Sequence, residues 1–293
     1  MIFFFIIQSD LIHSAATGQF LLVSLMARET SLGNIYAANS GRADASVVNP
    51  AALSGVRQSQ ILFTHFVSAF DTYYEHLLFT FPFNKNVNLG FNFLFSANND
   101  LYKTDENGYP VERIDNYDTL LGTIVSFGLN KKISMGINAK LVGSKINKSS
   151  VWGVALNAGI VYKNPDNNYV LGATVENLGV STAYFKEESL YPIVARIGYT
   201  SEIFRYLDVY SFYLLIEERF FINESEWTET SFGLEVEYHD FFVFRYGYVF
   251  GRDEGKLSLG VGVTFQQFKI DYSYQPFFLS DNVHTFTIGM TFK

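Results

Sequence analysis

Between residues 257 and 265 the large apolar side chains Leu257, Leu259, Val261, Val263 and Phe265 alternate without a break with Ser258, Gly260, Gly262 and Thr264. A period of two puts one set on each face of an extended strand. The same rhythm recurs in nearly every strand candidate of the chain. A soluble sheet buries one face against a second layer and seldom needs every strand long, alternating and rich in glycine on its other face. A strand that meets lipid on one side and a lumen on the other does need it, and closing the sheet pairs every backbone group away from water. The pattern predicts an all-β fold, a transmembrane antiparallel β-barrel.

From about residue 59 onward there are about 14 strand candidates, each near the ~9 to 11 residues that cross a membrane at a tilt. They centre on 61–66, 73–81, 87–95, 119–129, 133–145, 151–162, 169–175, 193–199, 209–216, 228–238, 242–250, 257–265, 268–274 and 284–292. The odd-numbered connections include 96–116, 179–191, 219–226 and 275–282, which are long and polar. The even ones include 130–131, 239–240 and 266–267, with 163–168 and 201–206 somewhat longer. Outer-membrane barrels pair short periplasmic turns with longer external loops in this way. Pro82, Pro110, Pro165, Pro192 and Pro276 fall at strand ends or in connections, and Pro50 precedes the first strand, as a hydrogen-bonded ladder requires. Trp152, Trp227, Tyr199 and Tyr248 are expected near strand ends, where an amphipathic ring suits the membrane interface.

Composition narrows the alternatives. No stretch approaches the ~18 consecutive apolar residues of a membrane helix, while 30 Phe, 19 Tyr and only 6 Pro fit one large β unit. The mean hydropathy of +0.10 decides nothing, because half of every barrel strand is polar. The absence of cysteine excludes disulfides, thiolate metal sites and cysteine nucleophiles. A net charge of −8 with no basic cluster argues against nucleic acid. Residues 1–7 read MIFFFII and are followed by Ser14, Ala15 and Ala16, the apolar core and small-residue cleavage zone of a secretory signal over residues 1–16, although no Lys or Arg precedes Arg28.

Residues 18–55 do not alternate. Asn49 is placed as a helix N-cap, Pro50 at the first helical position and Gly55 as a stop, which predicts a short helix. A barrel of about 14 strands is too wide for its own side chains to fill, so residues 17–58 are expected to form an inserted N-terminal hatch and 59–293 the barrel. Asn49-Pro50-Ala51, the pattern around Phe20, Leu21, Arg28 and Gly33, and Asn177-Leu178-Gly179 occur in an order that resembles the PorV/PorQ family of FadL-like outer-membrane proteins. So do Gly233-Leu234-Glu235, Arg245-Tyr246-Gly247-Tyr248, and the closing Tyr272-Ser273-Tyr274 with His284-Thr285-Phe286. Ser31-Leu32-Gly33-Asn34-Ile35 departs from the family's usual glycine-rich run. The resemblance implies a 14-stranded barrel with an N-terminal plug in the bacterial outer membrane. It implies two roles: uptake of small hydrophobic molecules, with a fatty acid as one such ligand, or service as an envelope component of type IX secretion that binds protein partners.

Turning the apolar faces to lipid sends Lys140, Glu176, Arg196, Glu217, Glu235, Glu237, Arg245, Lys269 and Asp271 into the lumen. A Lys or Arg facing lipid near the midplane costs about 2 to 4 kcal/mol, so the assignment is forced for the central positions. The set is nearly balanced in sign. A self-paired network, with Glu235 beside Arg245, is one use of it, and orientation of a substrate is the other. His65 and His76 are expected nearly opposite one another across the first hairpin, without a third metal ligand; His13, His239 and His284 stand apart. No HExxH, phosphate-binding loop, dinucleotide fingerprint or nucleophile elbow is present, and no cofactor or enzymatic activity is expected.

Overall fold

The alternating stretches become strands that outrun their apolar centres, because the polar residues flanking each centre continue the ladder. A computed structural model describes residues 18–68, 72–98, 101–164, 166, 168–182, 189–223, 227–239 and 241–292. The secretory signal over 1–16, with His13, lies outside these residues, as do Pro165 and parts of the connections at 179–191 and 219–226. The long strands are β1 (Ser59–Val67), β2 (Thr72–Pro82), β3 (Val87–Asn98), β4 (Asn116–Gly128), β5 (Ile133–Ile146), β6 (Ser149–Asn164) and β7 (Tyr169–Ser181). They continue with β8 (Val194–Tyr206), β9 (Tyr210–Phe221), β10 (Thr228–Tyr238), β11 (Phe242–Phe250), β12 (Leu257–Phe265), β13 (Phe268–Gln275) and β14 (Val283–Phe292). Each pairs antiparallel with its neighbour in sequence, and β14 closes on β1 from Ser59 opposite Phe292 to Val67 opposite His284. The 14-stranded ring has no free edge.

The even connections, 83–86, 129–132, 165–168, 207–209, 239–241 and 266–267, are all short and lie at one end. The stretch 201–206, expected as a connection, is instead the end of β8, where the pairing slips between Glu202 and Phe204. The bulge breaks the two-residue period and hides the strand from it. Longer connections gather at the other end, and 99–115 carries a small hairpin of its own, Tyr102–Thr104 against Pro110–Arg113. Tyr199 lies in the middle of β8 rather than near an end, whereas Trp152, Trp227 and Tyr248 do lie near strand ends.

Large apolar side chains such as Phe91, Leu121, Ile197 and Phe244 are exposed on the outer face, and their sequence neighbours point inward and are buried. Within the ring runs the N-terminal segment 18–58: a 3-10 turn at Gln19–Leu22, the single helical turn α1 (Ala27–Ser31), and 3-10 turns at Asp44–Val47 and Pro50–Leu53. The short helix expected after Asn49 is the last of these turns, with the Asn49 side chain accepting the Ala51 N–H at 3.1 Å and Gly55 following at φ 92°. Residues 25–39 are buried throughout. The wall yields space for them at inward-facing glycines, since a Cβ at Gly172 would overlap the Ala37 carbonyl and one at Gly247 the Gly33 amide.

Candidate functional site

The contents of the ring divide into three zones along its axis. At the long-loop end, Phe66, Tyr74, Leu94, Leu120, Val142 and Val283 face inward and form an apolar cluster with Phe20 and Leu25 of the segment. Mid-lumen is a belt of buried charges. At the short-turn end two polar cavities, of about 330 and 280 Å³, lie on either side of Arg42 and share Glu237.

The belt is built from inward-facing charges on the strands and on the N-terminal segment. The Arg28 guanidinium donates to both carboxylate oxygens of Glu235, at 2.9 and 2.8 Å, and to Asn39 and Glu29 at 2.9 and 3.0 Å. Glu235 also accepts from Arg245 Nε at 2.6 Å, Arg245 reaches Asp271 at 2.7 Å, and Lys269 bridges Asp271 at 2.8 Å and Asp44 at 3.3 Å. In a second group Arg196 pairs with Glu176 at 2.5 Å and Glu217 at 2.8 Å, and donates to the Asn34 carbonyl at 2.8 Å. The free oxygen of Glu217 accepts the N–H groups of Tyr36 and Ala37 at 2.8 and 2.6 Å. Lys140 donates to Asn177 at 2.8 Å. The nine luminal residues singled out from sequence therefore all face inward. Eight join these contacts, and Glu237 makes no ion pair among the described residues but borders both polar cavities.

Sequence reasoning did not find the partners contributed by the segment, Arg28 with Glu235 above all, or the third group, in which Glu229 pairs with Arg219 at 3.3 Å and with Arg252 at 2.5 Å. Arg219 and Glu229 share the inward parity that marked Glu217 and Glu235, so strand alternation alone could have added them. Of the motif residues, Gly33 donates to Ser258 at 3.1 Å, and Asn49 donates to the Ala37 carbonyl at 2.6 Å. Pro50 lies against Gly136, and the Ala51 carbonyl accepts from Ser134 at 3.2 Å. Further neutral side chains hold the same stretch: Asn138 and Asn157 donate to the Val47 carbonyl at 3.1 and 3.2 Å, and Asn88 to the Val56 carbonyl at 2.7 Å.

His65 and His76 do not face one another. His65 lies opposite Glu75 and His76 opposite Thr64, so one ring points outward, held to Glu75 at 2.8 Å, and the other points into the lumen. One residue of register sends a side chain to the other face. No group of metal-ligating side chains occurs among the described residues.

Two apolar hollows adjoin the wall at β2–β7. The inner one, of about 50 Å³, is lined by Phe20, Leu21, Leu94 and Leu120; the outer one, a depression of about 790 Å³ in the outside of the barrel, lies over β2–β7. Asn92 and Lys140 line both. Between them, Asn92, Gly122, Lys140, Ala155 and Gly179 lie opposite one another on successive strands, so that small residues alternate with two long polar ones. The bulge in β7, where Glu176 and Asn177 both face inward and Asn177 has φ 59°, interrupts the ladder beside this row.

The chain matches no protein-family model and no curated protein. Its fold is found in solved structures. A structure described as the CymD monoaromatic hydrocarbon channel aligns over 92% of this chain and 98% of its own with a TM-score of 0.65 and 14% identity. The toluene transporter TodX of P. putida aligns over 93% and 99% with a TM-score of 0.65 and 12% identity. A Pseudomonas aeruginosa FadL homologue aligns over 92% and 98% with a TM-score of 0.58 and 12% identity. The barrel shares its fold with these structures. At such identities the likeness establishes the fold, and the architecture is that of outer-membrane barrels described as channels and transporters.

Proposed function

We propose that this chain is a bacterial outer-membrane channel that passes small hydrophobic molecules, monoaromatic hydrocarbons or fatty acids, with residues 17–58 as its hatch and the long loops outside the cell. The observation that carries this reading is the pair of hollows sharing Asn92 and Lys140 across one wall. A straight path down the lumen would have to part the buried ion pairs between segment and wall, each costing about 3 to 5 kcal/mol to break on one side. A molecule that enters the apolar long-loop end meets Leu94 and Leu120 and then a stretch of wall where Gly122, Ala155 and Gly179 alternate with Asn92 and Lys140. Such a route passes Lys140 and Glu176 at the edge of the inner hollow but leaves the ion pairs between segment and wall closed. Motif order supports the finer placement beside the PorV/PorQ proteins.

The test uses proteoliposomes and a hydrophobic probe such as toluene or a long-chain fatty acid. Leu120→Trp fills the inner hollow and is expected to lower uptake about tenfold while the folded, SDS-resistant form persists. Deletion of residues 18–58 should raise planar-bilayer conductance and abolish saturable uptake. Unchanged uptake in Leu120→Trp overturns the wall route. An intact protein that passes no hydrophobic probe, but retains a protein partner through its loops, would instead support the secretion reading.

A further inference from the structure

The outside of a barrel is convex, and large side chains keep it so. Across six strands the outward positions Phe79, Phe91, Thr123, Ala139, Leu156 and Leu178 lie opposite one another in turn. The two small residues at the centre of this row, between aromatic side chains on one flank and leucines on the other, make the 790 Å³ depression. It is the size and chemistry of a slot for an extended hydrocarbon chain.

The same strands end in a set of cations. The turns 83–86 and 129–132, which join β2 to β3 and β4 to β5, carry Lys85, Lys131 and Lys132, all exposed, and contain no acidic residue. Asp166 on the next turn takes Lys132 at 3.5 Å, and neither Lys85 nor Lys131 has an ion pair among the described residues. Seven residue steps along β5 and its turn separate Ala139 from Lys132. At ~3.3 Å per residue and a tilt of ~40° they span roughly 18 Å along the membrane normal. That is about one leaflet of the ~25 Å apolar band plus the headgroup layer.

We propose that this wall is a specific site for an anionic phospholipid of the short-turn leaflet, its phosphate held by Lys85, Lys131 and Lys132 and one acyl chain lying in the depression over Thr123 and Ala139. Charge and shape select the ligand together. A zwitterionic choline lipid offers the same chain but carries its own cation toward the lysines, and free phosphate offers the charge without the chain. The site does not depend on whether cargo crosses the wall.

Full-length protein in detergent, mixed with equal amounts of phosphatidylglycerol and phosphatidylcholine of identical chains, is examined by native mass spectrometry. Phosphatidylglycerol should be retained about tenfold in excess. A lysine near an anionic surface contributes about fivefold, screened by salt, so the triple variant Lys85→Gln/Lys131→Gln/Lys132→Gln should lose that preference. Ala139→Phe should release both lipids with the lysines intact, and millimolar inorganic phosphate should displace neither. The SDS-resistant form serves as the folding control for each variant. Equal retention of the two lipids, an unchanged preference in the triple variant, unchanged retention in Ala139→Phe, or displacement by phosphate would each overturn the proposal.

Discussion

Glu235 joins segment to barrel, and its removal shows how the two are coupled. Three hydrogen bonds end on its carboxylate, two from Arg28 and one from Arg245, and the group is 2% exposed. Bonds to charged groups contribute about 1.5 to 3 kcal/mol each, and breaking a buried pair from one side costs about 3 to 5 kcal/mol, chiefly through the charge left behind. Glu235→Ala leaves two guanidiniums, of which Arg245 keeps Asp271 and Arg28 keeps only Glu29 and Asn39. The cost should lie near the top of that range, about 5 kcal/mol. The double variant Glu235→Ala/Arg28→Ala removes the more stranded cation, and the coupling should return about 2 kcal/mol or more. Since Arg28 belongs to the segment and β10 pairs without it, the loss should appear first as undocking. Protease sensitivity of residues 18–58 and bilayer conductance should both rise in Glu235→Ala below the temperature at which the barrel loses its SDS-resistant form. Strictly additive single effects, or a segment that stays protected, would refute the coupling.

Two other perturbations follow from the segment's packing. At Gly172 and Gly247 the wall touches the segment's backbone, so Gly172→Val or Gly247→Val should expose residues 18–58 to protease while leaving strand content by circular dichroism unchanged; loss of the barrel itself would contradict the close-approach argument. Burial, then the Asp44 carboxylate, pushes the Glu29 carboxyl up to about 7, and its second oxygen has no hydrogen-bond partner. The fold therefore favours the protonated form: the Glu29 contribution to docking is fully present below about pH 4.5 and is lost as pH rises through about 7, by up to about 3 kcal/mol. The temperature of segment release should fall between pH 5 and 8 in the native chain and stay level in Glu29→Gln, and parallel curves would remove Glu29 as the cause.

Strand alternation carried most of the barrel, because lipid on one side and a packed lumen on the other force nearly every residue of a strand to one face or the other. It carried the pairing of Glu235 with Arg245 too, since both hold inward positions on neighbouring strands. It failed where the period breaks. The bulges at Glu202 and at Asn177 each shift the phase, and the register of β1 on β2 separates His65 from His76. The docking of Arg28 left no local mark, because the segment has no period of its own and its partner stands 207 residues away. Asn138 and Asn157 read as ordinary polar lumen positions, and only the course of the chain at 47–48 makes them anchors.

The anchors are unevenly distributed, and the unevenness bears on where a passage opens. On β8–β13 the segment is held by charge: Arg196 on the Asn34 carbonyl, Glu217 on two amides, Glu235 on Arg28, and Lys269 on Asp44. On β3–β7 its holders are neutral: Asn88, Ser134, Asn138, Asn157 and Thr174, each bonded to a backbone carbonyl between residues 47 and 56. Bonds of the neutral kind contribute about 1 kcal/mol net apiece, and charged ones roughly twice that or more. A thermal opening therefore costs least beside β3–β7. The inner hollow, the row from Asn92 to Gly179 and the outer depression lie on that same arc of wall. The strong anchors set on the opposite side let the weak side give way without loss of the segment, which is what the proposed channel needs if it is to open for a hydrophobic molecule and still remain closed to water.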